Sequence, residues 1–455
     1  MKKVLFIIAI LLGVVSSSHG QRLEKTSSPQ EVGVNPNLIE RVDSMVKDNL
    51  ERKAYPGCQI AIVKDGKIIL DKGYGRISDD PHSHKVTRRT LFDLASVTKA
   101  TATLSALMKL YDRGLVDIEA SAAEYIPQLA ENGKSGITVE ELLYHTSGLP
   151  SGLNMNALIV DSASFEGKLV SYKRRAPYTV ALGGNVYGNR DARLRSDLIG
   201  RHRSTEFPDP VAKGLYVGPE MEDLIMENIY RIDTLPKRYR YSDLNFCLVR
   251  QIVENIDGRP IDLFVREEIF EPIGANSFCY RPATSHHLKD IAVTETDNFL
   301  RRQRIHGYVH DETAAFSGGV QGNAGLFSNA LDIAKLCQTW LNGGVYDGHR
   351  VFSPRTVDRF VNSYRSDIAR GLGFDYATRL KSIRDLGLVS DRVFGHTGFT
   401  GTSFWVDPDR NLIVVFLCNR VCPSRDNEVF DELLPRTELM RLVYESLENN
   451  EPNEQ

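Results

Sequence analysis

A serine and a lysine three positions apart, Ser96 and Lys99, stand in the stretch Asp93-Leu94-Ala95-Ser96-Val97-Thr98-Lys99-Ala100-Thr101. On a helix this spacing puts both side chains on one face, about one turn apart. A hydroxyl is inert as a nucleophile until a neighbouring base takes its proton. An amine held beside it makes Ser96 Oγ a candidate nucleophile. The spacing alone is common, expected roughly once or twice in a chain this long from ordinary composition. Ser44 and Lys47 repeat it. There Leu38, Val42, Met45, Val46 and Asn49 mark one side of a helix, and Ser44 and Lys47 fall on the other, solvated side. Ser96 instead precedes a run of small and apolar residues (Ala100, Ala102, Leu104, Ala106, Leu107, Met108) that predicts a helix buried nearly all round. A lysine in such a helix is costly without partners.

Three other segments supply candidates. They are Tyr241-Ser242-Asp243, His396-Thr397-Gly398 ahead of an apolar strand, and Gly322-Asn323-Ala324-Gly325, read as a structural lining of the cleft. The order Ser-x-x-Lys, Tyr-x-Asp, His-Thr-Gly resembles that of the serine β-lactamase and penicillin-binding protein superfamily. The tyrosine motif is similar to that of its class C β-lactamase branch, which also holds esterases and D-amino-acid peptidases. Flanking segments fit the same pattern, Tyr144-His145-Thr146-Ser147-Gly148 and Gly307-Tyr308-Val309-His310-Asp311-Glu312, with His145 and His310 expected to shape loops. The resemblance implies that Ser96 is acylated, that Lys99 activates it, and that Tyr241 carries the proton to the leaving group. It implies an oxyanion hole made by the backbone N–H groups of Ser96 and Phe399. Asp243, His396, Thr397, Gly398 and Phe399 would then contact substrate. Gly398 is expected to let substrate approach the strand edge.

Two departures from the class C pattern carry information. Asp243 stands where asparagine is usual, and His396 where lysine is usual. A carboxylate beside Lys99 favours the charged ammonium and removes an amide donor suited to a β-lactam. His396 is expected to be partly charged near neutrality and to hold a substrate carboxylate, giving activity a dependence near pH 6–7. Both changes point to an esterase or D-amino-acid peptidase. A class C-type β-lactamase and a non-catalytic binder of cell-wall fragments or penicillin are the alternatives.

The elements that must position these residues are legible in outline. An amphipathic helix is predicted over 36–50. Strands over 58–63 and 67–76 flank an Asp65-Gly66 turn. A second hairpin joins 402–406 to 412–418, and a helix over 438–447 closes the chain. The resemblance implies a β-lactamase-like α/β (α+β) fold, and strands at both ends with helices between predict an antiparallel sheet built from the two termini and a mainly helical second lobe. The expected organisation is a signal peptide (1–20), a linker (21–35), one catalytic domain (36–449) and a short tail (450–455). Residues 151–236, weakly periodic and rich in arginine, read as a loop-like insertion.

The chain has 455 residues, 42% hydrophobic and 25% charged, with a net charge of −3. That balance gives no support for nucleic acid as a partner. Met1-Lys2-Lys3, an apolar run from Val4 to Val15, and small residues before Gln21 predict an export signal and a periplasmic or secreted protein without a stable membrane anchor. A monomer acting on a small molecule or peptide is expected. Six cysteines occur, mostly in apolar runs, and read as buried thiols, with Cys418 and Cys422 the one pair close enough to test. His82, His84, His286 and His287 lack partners at metal-binding spacing, and no metal or cofactor is expected.

Overall fold

A computed structural model describes residues 20–447. The expected export signal and the terminal tail lie outside this range, save for Gly20. The main sheet has seven strands: β1 (Glu24–Lys25), β2 (Gly57–Lys64), β3 (Lys67–Gly75), β4 (Asp375–Tyr376), β5 (Phe394–Thr397), β6 (Ser403–Asp407) and β7 (Leu412–Cys418). Their spatial order is β1-β3-β2-β7-β6-β5-β4. All neighbours are antiparallel except β1 and β3. The two chain ends meet at β2 and β7, where Cys58 stands opposite Cys418 and Lys64 opposite Leu412. Asp65 and Gly66, with φ of 52° and 70°, close the β2–β3 hairpin, a turn that needs positive φ at both positions.

Strand β7 shows why the sheet is central. Every one of its residues is buried. Leu412, Val414, Phe416 and Cys418 face one core, shared with Val42 and Val46 of helix α1 (Asn37–Glu51) and with Leu439 and Val443 of the C-terminal helix Pro435–Glu445. Ile413, Val415 and Leu417 face a second core. That core includes Leu107 of α2 (Ser105–Asp112), Phe246 of α3 (Asp243–Asp257) and Trp340 of α4 (Ala330–Leu341). The C-terminal helix is α5. A strand covered on both faces needs a continuous apolar run rather than alternation, and Leu412–Cys418 is one.

Several expectations are modified. The segment before α1 is no bare linker: Leu23 is buried and β1 extends the sheet. Residues 151–236 are not one long loop. They hold paired strands, among them Tyr178–Gly183 with Val186–Asn189 and Asp209–Ala212 with Leu215–Val217. They end in a helix, Pro219–Arg231, that buries Met221, Ile225, Met226 and Ile229. Short strands and frequent turns masked this pattern. All six cysteines are free, and Cys418 is paired in register with Cys58, not with Cys422. Among the described residues no helix is long and apolar enough to cross a membrane.

Phe416 anchors the α1–α5 core, with the Tyr55 ring edge-on at 5.7 Å. Phe416→Ala should cost about 3–5 kcal/mol, read as a lower denaturant midpoint, because the packed surroundings cannot close the cavity. A cost under about 1 kcal/mol would show that this core is loosely packed.

Candidate active site

Ser96 sits on a turn built before the helix begins. The short strand Phe92–Asp93 pairs with Leu326–Ser328. The buried Asp93 carboxylate accepts from the backbone N–H of Ala95 (2.9 Å) and of His310 (2.7 Å). Ala95 adopts a φ of 46°, a conformation that costs energy for a residue with a Cβ and that reverses the chain into the helix. The Lys99 N–H then bonds the Ser96 carbonyl at 3.1 Å, and residues Lys99–Leu104 form a wide π-type turn leading into α2. Ser96 and Lys99 thus share a face as expected, but through a tight turn followed by a wide one. Such turns recur at functional sites.

The Lys99 side chain is fully buried. Its ammonium donates to Ser96 Oγ (2.9 Å) and to the Asn323 carbonyl (2.9 Å), and lies 2.6 Å from Asp243 Oδ1. Burial opposes the charge, but Asp243 and Tyr241 outweigh it and hold the amine above its ordinary value. Lys99 is a cation here. The Asn323 carbonyl was not among the expected partners; the Gly-Asn-Ala-Gly segment marked only a cleft lining. By contrast, Ser44 and Lys47 are both exposed on α1, as the helical pattern requires.

Tyr241 and Asp243 are placed by the N-terminus of α3. The loop 145–151 clamps that end. The Ser242 N–H donates to His145 Nδ1 (3.1 Å), Ser242 Oγ to the Pro150 carbonyl (2.6 Å), and the Asp243 N–H to the Ser151 carbonyl (2.9 Å). His145 stacks on the Tyr241 ring with centroids 4.5 Å apart. The Lys99 ammonium lies 5.2 Å from the centroid of the same ring. Burial raises the Tyr241 hydroxyl above its ordinary value, while Lys99, Arg370 and Ser96 favour the phenolate. His145 therefore shapes the site. So does His310, which pairs with Glu295 at 2.7 Å and stacks on Phe399.

His396 departs from expectation. It is 1% exposed and does not line the cleft. Its Nδ1 lies 2.8 Å from the Thr397 carbonyl and its Nε2 lies 3.4 Å from Arg370 Nη2. A guanidinium can only donate, so Nε2 accepts and Nδ1 carries the proton. Burial, reinforced by Arg370 and Lys99 against the opposing pull of Asp375, pushes the imidazole down to about 4. It is neutral where partial charge was expected, and it is not placed to hold a substrate carboxylate. The charge resides in Arg370, fully buried, ion-paired with Asp375 and 5.3 Å from the Tyr241 ring centroid. The motif gave no sign of Arg370.

Gly398 serves packing on this side. A Cβ there would collide with Thr402 Oγ1 and with the Leu94 carbonyl of the nucleophile turn. Thr402 Oγ1 donates to that carbonyl at 2.9 Å, and Thr400 Oγ1 to the Asp93 carbonyl at 2.7 Å. These bonds fix the end of β5 against Ser96. Among the described residues the N–H groups of Ser96 and Phe399 find no acceptor in the protein. Both residues line a cleft of about 470 Å³, with Tyr241, Asp243, Thr397 and Gly398. Two free donors beside a nucleophile can stabilise a tetrahedral oxyanion.

The cleft also holds charged groups to which the sequence assigned no role. Asp311 accepts from Asn323 Nδ2 (3.0 Å), and burial with Asp243 and Glu312 nearby pushes it up to about 6. Arg420 donates to the Phe399 carbonyl (2.8 Å), and Arg436 to those of Gly398 (3.4 Å) and Thr402 (3.3 Å). Among the described residues no group of three or more His, Cys, Asp or Glu side chains is placed to hold a metal.

The neutral His396 makes a stability prediction. The unfolded chain protonates this imidazole near 6.5 and the folded protein near 4. Between those values the unfolded state binds more protons, so stability falls as pH drops through that window. The expected loss is about 3 kcal/mol in total. Denaturant titrations at stepped pH should show it, and His396→Gln should flatten that part of the curve. An equally steep fall in that variant would place the sensitivity elsewhere.

Comparison with known proteins agrees with this geometry. A family model described as Beta-lactamase matches residues 42–434. A protein of Escherichia coli (strain K12) named "Putative D-alanyl-D-alanine carboxypeptidase" is 30% identical over 421 residues, covering 87% of this chain and 85% of the relative. The like-named protein of Salmonella typhimurium is 28% identical over the same length. Among solved structures, EstCE1, a hydrolase with promiscuous acyltransferase activity, superposes with a TM-score of 0.61 at 16% identity, covering 91% of this chain and 99% of its own. A penicillin-binding protein homologue from Caulobacter crescentus gives 0.58 at 18% identity, covering 89% and 99%. At these identities the structures establish the shared fold. The family model and the relatives, joined to the Ser96, Lys99 and Tyr241 constellation, show that the chain belongs to the β-lactamase family of serine hydrolases.

Proposed function

We propose that this protein is an exported D-alanyl carboxypeptidase-type hydrolase that works through an acyl-enzyme on Ser96. The observation that carries the substrate reading is the pair Arg420 and Arg436, bonded to the carbonyls just after β5. Among the described residues Arg436 has no carboxylate partner, and Arg420 has only the exposed Asp431 at 3.4 Å. Half-buried guanidinium groups without a full partner seek an anion. A carboxylate on the leaving group, as at the C-terminus of a peptide, fits that wall. The names of the curated relatives support the same class.

The chemistry follows from the charges. Ser96 Oγ attacks the carbonyl carbon while the N–H groups of Ser96 and Phe399 bond the developing oxyanion. Lys99, locked as a cation by Asp243, is not the base. Tyr241 in its phenolate form takes the Ser96 proton and hands it to the departing amine or alkoxide. Water then attacks the acyl-enzyme, with Tyr241 as base again. Lys99 and Arg370 act on this tyrosine through their charge. His396 fixes the end of β5 and holds Arg370 in place. Asp243 offers the substrate an acceptor, which suits an N–H or amine on the acyl group and gives a β-lactam side-chain carbonyl no donor.

Three measurements test this reading. Ser96→Ala should lower kcat/KM for an aryl ester at least about a thousandfold and abolish labelling by a fluorophosphonate. Retained turnover in that variant would move the nucleophile elsewhere. The minor phenolate population requires kcat/KM to climb from about pH 7 to about pH 9, because more Tyr241 is ionised as pH rises. A flat profile there would remove Tyr241 as base. A D-alanyl-D-alanine peptide should be hydrolysed well and a chromogenic cephalosporin slowly; the reverse order would favour a β-lactamase.

A further inference from the structure

The insertion gathers arginines at a point outside the catalytic cleft. The two-residue strand Arg193–Leu194 pairs with Val160–Asp161, and Arg201 follows strand Ile199–Gly200, which pairs with Leu215–Val217. Arg302 comes from the hairpin joining Val293–Asp297 to Gln303–His306. These three arginines line one small pocket of about 50 Å³, together with apolar side chains that include Val160, Leu194 and Phe299. None of the three borders the cleft that contains Ser96.

Two of the guanidinium groups lie side by side. Arg193 Nη1 donates to the carbonyls of Arg190 (2.9 Å) and Ala192 (3.0 Å). Arg302 Nη2 donates to the same two carbonyls, at 3.1 and 2.6 Å. Like charges brought to shared acceptors repel one another. The effect shows at Arg302, where burial first, then Arg193 and Arg201, disfavour the charged form against the weaker pull of Asp191 and Asp297. Tying the hairpin to the insertion needs only Arg302; Arg193 and Arg201 add charge without adding such a tie.

The nearby acids are committed elsewhere. Asp297 pairs with Arg301 at 3.0 Å, Asp197 with Arg195 at 2.6 Å, and Asp191 with Arg190 at 3.8 Å. Asp161 stands opposite Arg193 in register, but its carboxylate accepts from the Ala163 N–H (2.9 Å) and caps the next turn. Among the described residues no carboxylate forms an ion pair with Arg193, Arg201 or Arg302. Converging cations over apolar side chains are an arrangement that an anion completes. A carboxylate satisfies one guanidinium. A phosphate monoester brings three outer oxygens and about two negative charges, enough to bond all three.

We propose that Arg193, Arg201 and Arg302 form a binding site for a phosphate group, carried by a soluble ester or by a lipid headgroup. The site stands independently of the D-alanyl reading of the Ser96 cleft.

Calorimetric titration of the wild-type protein with inorganic phosphate and with pyrophosphate tests it, in about 0.15 M chloride to screen loose surface attraction. Saturable one-to-one binding of pyrophosphate with a Kd below about 1 mM is expected. Arg201→Ser and Arg193→Gln should each weaken it at least about fivefold, with ester hydrolysis unchanged as the sign of an intact fold. Arg174→Gln, which removes an exposed cation of the insertion outside the pocket, should bind as the wild type does. Co-sedimentation with phosphatidylcholine vesicles containing phosphatidic acid separates the two sources. Capture that pyrophosphate competes away and that Arg201→Ser lowers identifies a lipid headgroup; pyrophosphate binding without capture identifies a soluble ester. The proposal is overturned by no saturable binding of either phosphate compound, by affinities unchanged in Arg201→Ser and Arg193→Gln, or by an equal loss in Arg174→Gln.

Discussion

The Lys99 ammonium has no contact with solvent, and a charge so placed holds only if the fold brings its partners to it. Three do so from three parts of the chain: Ser96 Oγ from its own turn, Asp243 from the head of α3, and the Asn323 carbonyl from the glycine-rich segment. Removing any one leaves a buried cation short of a bond, which costs far more than an exposed pair could return. The nucleophile turn, the head of α3 and the glycine-rich segment are therefore registered to one point. The same contacts fix the chemistry. An amine held as a cation cannot take a proton, so in the proposed mechanism the burden falls on Tyr241, whose own burial opposes ionisation.

The sheet supplies the rigidity for this arrangement. Strand β7 is covered on both faces, by α1 and α5 on one side and by the helical lobe on the other. Beside it β6, and beyond that β5, end at Thr402 and Gly398 against the nucleophile turn, where the Thr400 and Thr402 hydroxyls bond backbone carbonyls of Asp93 and Leu94. Asp93 in turn holds Ala95 and His310. Strain at Ala95 is tolerated because packed and hydrogen-bonded groups on every side leave the turn no alternative. A free pair of N–H groups then faces the cleft by construction, without reorganisation during reaction.

Positive charge reaches Tyr241 by a route that differs from the family pattern. With histidine in place of lysine, the cation comes from Arg370, buried behind the strand and tied to Asp375. A neutral His396 is the acceptor that lets that guanidinium sit there. Charge that would otherwise lie on the cleft surface is thus drawn inward, and the surface is left to Arg420 and Arg436. The cleft lining also includes Asp243 and Asp311.

The sequence by itself determined the elements and the reacting groups. Apolar periodicity placed α1 and the two hairpins to within a residue or two, because one-sided burial writes a period into the chain. The helical context of Ser96 separated it from Ser44, and Tyr241 and Asp243 followed from a short motif whose spacing a helix start preserves. The charge state of Lys99 was legible because its partner is named in that motif. Long-range contacts decided the rest. Arg370, Arg420 and Arg436 lie in no motif, Asn323 and Asp311 lie in segments read as structural, and only the folded chain brings them to the site. His396 was misread for the same reason: its type permits partial charge, but burial and an arginine 26 positions earlier set it neutral. The insertion escaped prediction because its strands are too short to write a period. Local pattern records which face is buried; what lies against that face is a property of the tertiary structure alone.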